Sequence, residues 1–123
     1  YSVVVNEHSS SSLNILLSTE IIFSYESMTE PAAIYKSTPT GELTKLSNFN
    51  EDMLAKTYRS EPIDYWFEGS YGDQVHGWVL NATQDSVSGN PAQYPVAFLI
   101  HGGPQGTWSD DWSYRWNPQT YAG

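Results

Sequence analysis

The stretch that decides the predicted fold is Tyr94-Pro-Val-Ala-Phe-Leu-Ile-His-Gly-Gly-Pro104. Its apolar part, 96–100, is too short for a typical helix and is typical of a strand that is buried on both faces. The run ends at two glycines, which permit a sharp turn and let the backbone come close to a ligand. Pro104 then fixes the path by which the chain leaves. The stretch therefore predicts a buried parallel strand followed by a turn at residues 101–104, which we call the glycine turn.

A buried strand followed by a histidine–glycine–glycine loop is the arrangement that supplies half of the oxyanion hole in α/β-hydrolases. The other half comes from the residue after a nucleophilic serine in a Gly-x-Ser-x-Gly motif, and that motif is absent from the 123 residues. His101 precedes the position of such a serine, whereas the catalytic histidine of these enzymes comes last in the chain. We therefore expect His101 to brace the turn, and we expect no catalytic side chain in this sequence.

The composition indicates a globular protein and argues against two classes of partner. Hydrophobic residues make up 39% of the chain and aromatic residues 15%, as in a folded domain. Five Lys and Arg stand against fourteen Asp and Glu, which gives a formal net charge of −9. Such a surface repels nucleic-acid phosphates and anionic lipids, and no apolar stretch approaches the roughly 20 residues of a membrane span. We expect neither nucleic acid nor membrane as a partner.

The expected location rests on a glycosylation motif. Asn81-Ala82-Thr83 is an N-glycosylation acceptor beside a predicted turn. The chain has no cysteine, which excludes a disulfide but does not define the compartment. Together with the acidity and the aromatic content, the motif favours a secreted protein with Asn81 as its candidate glycosylation site. No signal peptide is visible at Tyr1, so we expect the N-terminus to be processed or to lie upstream.

Short β-favouring runs follow one another in the first part of the chain, separated by Gly, Pro and Ser. They predict strands at 1–5, 20–25, 32–37 and 43–46. No helical pattern separates these runs, which indicates an antiparallel meander. One blade of a β-propeller contains four such strands, but the edge of a β-sandwich would show the same pattern.

Residues 48–58 change in character and mark the predicted boundary between two units, 1–50 and 51–123. Asn50 followed by two acidic residues is typical of a helix start. Beyond it, runs at 63–68 and 75–80 flank a glycine-rich turn and predict a β-hairpin. Near the end of the chain, Asn117-Pro118 predicts the N-cap and first residue of another helix.

Residues 61–122 resemble the prolyl-oligopeptidase family of serine peptidases, in particular its acylaminoacyl-peptidase-like branch and the secreted fungal dipeptidyl-peptidases. Ile63-Asp-Tyr-Trp-Phe67, Gly77-Trp-Val-Leu80 and His101-Gly-Gly-Pro-Gln-Gly106 carry the resemblance, and Trp108-Ser-Asp-Asp-Trp-Ser-Tyr-Arg-Trp-Asn-Pro118 is its most specific part. Residues 20–47 are also similar to the last propeller blade of that family.

The resemblance implies the end of an all-β propeller joined to the N-terminal part of an α/β-hydrolase domain, with the chain an incomplete piece of both. It implies that the backbone N–H of Gly103, or of Gly102, binds the oxyanion. It also implies that the Ser, Asp and His of the triad lie in the remainder of the same polypeptide, that the substrates are peptides, and that no cofactor or metal is needed.

Two clusters after the glycine turn have alternative interpretations. Asp110 and Asp111 are candidates to hold the α-amine of a peptide substrate, but the favoured interpretation is a short helical turn in which Asp111 pairs with Arg115. Trp108, Trp112 and Trp116 recur every four residues, and on a helix they would form one face that packs in a core or lines a substrate channel. His8 and His76 have no carboxylate, His or Cys at ligand spacing along the chain, so we expect no metal site.

The leading hypothesis is therefore a fragment of a secreted serine exopeptidase that removes dipeptides from peptide N-termini through an acyl-enzyme. Two alternatives remain open. One is a carboxylesterase or lipase of the α/β-hydrolase fold, because histidine–glycine–glycine loops also serve ester hydrolysis. The other is a non-catalytic sugar-binding module, because five Trp and nine Tyr offer aromatic faces on which sugar rings stack.

Overall fold

The computed structural model describes residues 9–15, 19–82 and 95–123. The regular secondary structure of the described chain is mostly β-strand, with two helices of one turn each. The elements in order are β1 (Ser9–Ile15), β2 (Ile21–Ser27), β3 (Glu30–Ser37), β4 (Leu43–Lys45), α1 (Glu51–Leu54), β5 (Ile63–Glu68), β6 (Gln74–Val79) and α2 (Gln119–Ala122). The strand expected at 1–5 lies outside the described residues.

The first four strands form one antiparallel sheet in the order β1-β2-β3-β4, so the predicted meander is confirmed. Strands β2 and β3 are joined by the tight turn Met28-Thr29, where the Ser27 hydroxyl accepts hydrogen bonds from the backbone N–H groups of Thr29 and Glu30 at 3.2 Å each. Pro31 lies inside β3 and not in the turn. The turn therefore ends before the proline, where strand pairing is already re-established by the pair Ser27↔Glu30.

The buried apolar core of the described residues is small. It consists of Phe23, Met28, Ala33 and Ala122. Met28 belongs to the β2–β3 turn, and its side chain is only 1% exposed. Several polar residues are buried beside this core: Ser27, Ser37, Ser60, Asn117 and Gln119. Because buried polar groups need partners, hydrogen bonds hold much of this structure together.

The predicted hairpin is confirmed as β5 and β6, which pair antiparallel from Ile63↔Val79 to Glu68↔Gln74. Gly72 in the connecting turn has a φ of 81°, a conformation that glycine adopts without steric cost. One face of the hairpin is apolar but exposed in the described structure, and it carries Ile63, Tyr65, Phe67, Val75 and Val79. The hairpin therefore forms without the packing that normally covers such a face.

Residues 96–100, predicted as a buried strand, form no strand. The side chains of Val96, Phe98 and Ile100 are 89%, 82% and 73% exposed. The prediction was wrong for the described structure because a parallel strand exists only when neighbouring strands satisfy its N–H and C=O groups. No described residue pairs with this segment.

Both predicted helices are present, but their caps and first residues differ from the prediction. Helix α1 follows Asn50, and Glu51 and Asp52 occupy its first turn, but the Asn50 side chain forms no capping hydrogen bond. Helix α2 begins at Gln119, after Pro118, and not directly after Asn117. The Asn117 side chain still acts as an acceptor at the helix start, because its Oδ1 lies 3.0 Å from the backbone nitrogen of Gln119.

Candidate oxyanion turn and its supports

The glycine turn has the backbone conformation that its sequence suggests. Gly103 has a φ of 88°, a value that L-residues adopt at a cost of about 1–2 kcal/mol. The chain then folds back, so that a Cβ added at Gly106 would meet the Gly102 carbonyl oxygen and lie 2.7 Å from His101 Nδ1. His101 Nδ1 lies 3.1 Å from the same carbonyl oxygen of Gly102. As expected, the imidazole contacts the turn itself.

The turn is open to solvent. All residues from 101 to 107 are exposed. A small hollow lies elsewhere, between β3, β4 and the residues that precede α1. Gly102 and Gly103 are thus both exposed to solvent. The assignment of these two glycines as oxyanion donors stays a prediction.

Two hydrogen bonds attach the chain after the turn to the two sheets. The indole Nε1 of Trp78, on β6, donates to the Trp108 carbonyl oxygen at 2.9 Å. The backbone nitrogen of Met28, in the β2–β3 turn, donates to Asp110 Oδ1 at 2.7 Å. Residues 108–110 therefore connect the hairpin to the four-stranded sheet, and we call them the bridging segment.

The two aspartates have different surroundings. Asp110 binds the Met28 N–H, which supports a structural role. Asp111 lies close enough to Glu26 for its charge to act there: burial, and then the charge of Asp111, raise the pKa of Glu26 above its ordinary value. Within the described chain no ion pair joins Asp111 to Arg115, so that expectation was wrong. Arg115 instead lies with its guanidinium carbon 5.0 Å from the centre of the Trp116 ring.

The three tryptophans do not share a helical face, because residues 108–116 contain no helix. Trp108 and Trp112 are half-buried and Trp116 is exposed. The ring of Trp112 meets Tyr114 edge to face, with their centroids 6.2 Å apart. The spacing of four was misleading here because the segment is held by the bonds at Trp108 and Asp110 and not by helical hydrogen bonds.

Two buried hydrogen bonds between the Gln119 side-chain amide and the backbone of Ser60 join α2 to the linker before β5. We call these two bonds the buried amide pair, and no sequence pattern reveals them. The Gln119 side chain accepts from the backbone nitrogen of Ser60 at 2.8 Å and donates to its carbonyl oxygen at 2.7 Å. The Ser60 hydroxyl in turn accepts from the backbone nitrogen of Asn81 at 2.9 Å. Ser60 therefore connects the linker, the end of the hairpin and the last helix.

The hairpin brings to His76 a carboxylate that its spacing along the chain does not indicate. Its Nε2 lies 2.7 Å from Asp64 Oδ1 across the hairpin, and its ring stacks on Trp66 with centroids 4.5 Å apart. The two residues alone do not make a metal site, and no group of three or more His, Cys, Asp or Glu in the described part of the chain is arranged to hold a metal ion. His8 lies outside the described residues.

The candidate glycosylation residue Asn81 follows the end of β6 and is exposed. Its backbone nitrogen is bound to Ser60, which leaves the side chain as the accessible group. Thr83, the third residue of the motif, lies outside the described residues. Among the helices described here, none has the length and apolar character needed to cross a membrane.

Comparison with known proteins finds dipeptidyl-peptidases among the relatives of this chain. The chain is 34% identical over 123 residues to dipeptidyl-peptidase 5 of Schizosaccharomyces pombe. The matched region covers 97% of this chain and 16% of that protein. It is 37% identical over 124 residues to dipeptidyl-peptidase 5 of Trichophyton schoenleinii, which covers 98% of this chain and again 16% of the relative. No family model matches the chain.

The fold is that of part of a solved peptidase. The acylaminoacyl peptidase of Pyrococcus horikoshii superposes with a TM-score of 0.72 and 24% identity, over 96% of this chain and 18% of that protein. This chain thus spans roughly a sixth of the length of the relatives that it matches. From the sequence relatives and the shared fold, we conclude that the chain belongs, as a segment, to the prolyl-oligopeptidase family of peptidases.

Proposed function

We propose that this chain is one segment of a longer serine-type dipeptidyl-peptidase. In this proposal, residues 1–50 are the last part of a β-propeller and residues 51–123 are the start of the α/β-hydrolase catalytic domain. The observation that carries the proposal is the similarity over nearly the whole chain to proteins named dipeptidyl-peptidase 5. The antiparallel meander, and the exposed segment 95–100 that leads into the glycine turn, are compatible with this division.

The proposed mechanism assigns one task to this chain. A serine elsewhere in the polypeptide attacks the scissile carbonyl carbon of a peptide, and the carbonyl oxygen gains negative charge in the tetrahedral intermediate. The N–H of Gly103 or Gly102 donates a hydrogen bond to that oxygen. One such donor is worth about 2.7–4 kcal/mol of transition-state stabilisation. The amine then leaves, and water hydrolyses the acyl-enzyme.

The experiment that tests this function is a comparison of substrates on the complete gene product. We expect hydrolysis of a dipeptidyl chromogenic amide with a free N-terminus, and covalent labelling by a fluorophosphonate probe. A clear preference for a short-chain ester would support the carboxylesterase alternative and contradict the dipeptidyl-peptidase. Absence of labelling together with glycan binding would support the sugar-binding module, for which the exposed Trp66 and Tyr71 are candidate contacts.

We further propose that the protein is secreted and carries an N-glycan on Asn81, because the motif is present and the Asn81 side chain is exposed. On expression in a fungal secretory host, an endoglycosidase should lower the apparent mass of the wild-type protein. The Asn81→Gln variant should lack one glycan, and Asn14→Gln, which lies outside any such motif, should keep it. A glycopeptide map without glycan at Asn81 would contradict the proposal.

A further inference from the structure

We propose that Asp110 is a positioning residue, whose carboxylate fixes the glycine turn relative to the four-stranded sheet. This inference rests on the function proposed above, because it gives the turn a task that depends on its position. It adds to that function a residue that touches neither substrate nor the reacting atoms.

The carrying observation is the hydrogen bond from the Met28 backbone nitrogen to Asp110 Oδ1 at 2.7 Å, between residues 82 apart in sequence. The donor belongs to the β2–β3 turn, and the Met28 side chain is 1% exposed. The donor residue of this hydrogen bond is therefore buried in the core of the four-stranded sheet. A short bond from an N–H to a carboxylate is of the stronger, charge-assisted kind.

At its other end the bond is attached to the bridging segment, a few residues after the glycine turn. Trp108 in the same segment is held by its carbonyl oxygen to the Trp78 indole on β6. Residues 101–107 are exposed and have no comparable attachment to either sheet. The position of the turn therefore depends on where the bridging segment is anchored, and Asp110 supplies its anchor on the four-stranded sheet.

The competing explanation is that Asp110 acts through its charge, as a contact for the ammonium group of a peptide substrate. The positioning role and the contact with the substrate ammonium predict opposite effects for two variants of Asp110. In Asp110→Asn the charge is lost but the amide oxygen can still accept from the Met28 N–H. In Asp110→Glu the charge is kept but the additional methylene displaces the oxygen from its position.

The test uses the complete gene product with a dipeptidyl chromogenic amide. We expect Asp110→Asn to retain kcat within about threefold, and Asp110→Glu to lower kcat by about ten- to a hundredfold with KM nearly unchanged, because misplacement of a catalytic group by about 1 Å can cost a hundredfold. Asp73→Asn, the same change at an exposed carboxylate in the turn between β5 and β6, should retain kcat within about twofold. The reverse order of the two Asp110 variants, or a loss that appears in KM, would overturn the proposal.

A second readout does not require activity, so that failure of this inference and failure of the proposed function can be told apart. Hydrogen exchange of the peptide that covers residues 101–107 should be faster in Asp110→Glu than in wild type, and unchanged in Asp110→Asn. Equal exchange in all three proteins would overturn the positioning role even if the wild type is active. Faster exchange in Asp110→Glu alone would support it even if no dipeptidyl amide is hydrolysed.

Discussion

Replacement of Gly106 by alanine is expected to lower kcat of the complete gene product by about a hundredfold. The added Cβ would meet the Gly102 carbonyl oxygen and would lie 2.7 Å from His101 Nδ1, closer than non-bonded atoms approach. The turn must therefore shift, and loss of one oxyanion donor costs about 10²–10³ in kcat. The measurement is steady-state hydrolysis of a dipeptidyl chromogenic amide by correctly folded protein, with folding checked by circular dichroism.

The control for this substitution is Gly77→Ala, on β6 of the hairpin. A Cβ at Gly77 would have its nearest neighbour, the Tyr65 carbonyl oxygen, at 3.9 Å, so the methyl group fits. We expect kcat within about twofold of wild type. An unchanged kcat in Gly106→Ala would show that the conformation of the glycine turn does not matter to the reaction.

Replacement of Gln119 by leucine is expected to lower the free energy of unfolding by about 2–4 kcal/mol. The substitution removes both hydrogen bonds to the backbone of Ser60 and leaves a buried N–H and a buried C=O without partners, at about 1–3 kcal/mol for each unsatisfied group. Urea unfolding of the complete gene product, followed for the transition that includes the catalytic unit, measures the effect.

The matched control is Gln74→Leu, the same change at an exposed position on β6, where substitutions change stability by less than about 0.5 kcal/mol. If the two variants unfolded at the same urea concentration, the buried amide pair would contribute nothing to stability. The structural account of Ser60 as a connection between three segments would then be wrong.

The parts of the fold that depend on neighbours in sequence could be predicted from it. Alternating residues and tight turns predict the meander of β1 to β4 and the hairpin of β5 and β6, because those strands pair with the next strand along the chain. The segment 95–100 could not be judged in the same way, since a strand of its kind needs partners that are distant in sequence. Its exposed apolar side chains are the expected result when those partners are not among the described residues.

In the candidate site, too, features that depend on nearby residues could be predicted, whereas contacts between residues far apart in sequence could not. The positive φ of Gly103 is one that glycine adopts without steric cost, so the glycine pair allowed a sharp turn to be predicted. The pairing of His76 with Asp64 could have been found by placing both on the predicted hairpin, where Asp64 opposes Trp78 and His76 is therefore its diagonal neighbour. The bonds from Met28 to Asp110 and from Ser60 to Gln119 carry no sequence signal, because polar residues of these types occur throughout the chain.

The central claim is that the glycine turn binds the oxygen that becomes negatively charged when a peptide is cut. The most direct measurement is a crystal structure of the complete gene product with a fluorophosphonate bound covalently to its nucleophile. We expect the backbone nitrogen of Gly103 or Gly102 to lie about 2.7–3.1 Å from the phosphoryl oxygen. A phosphoryl oxygen bound by other donors, with the glycine turn turned away from it, would contradict the claim.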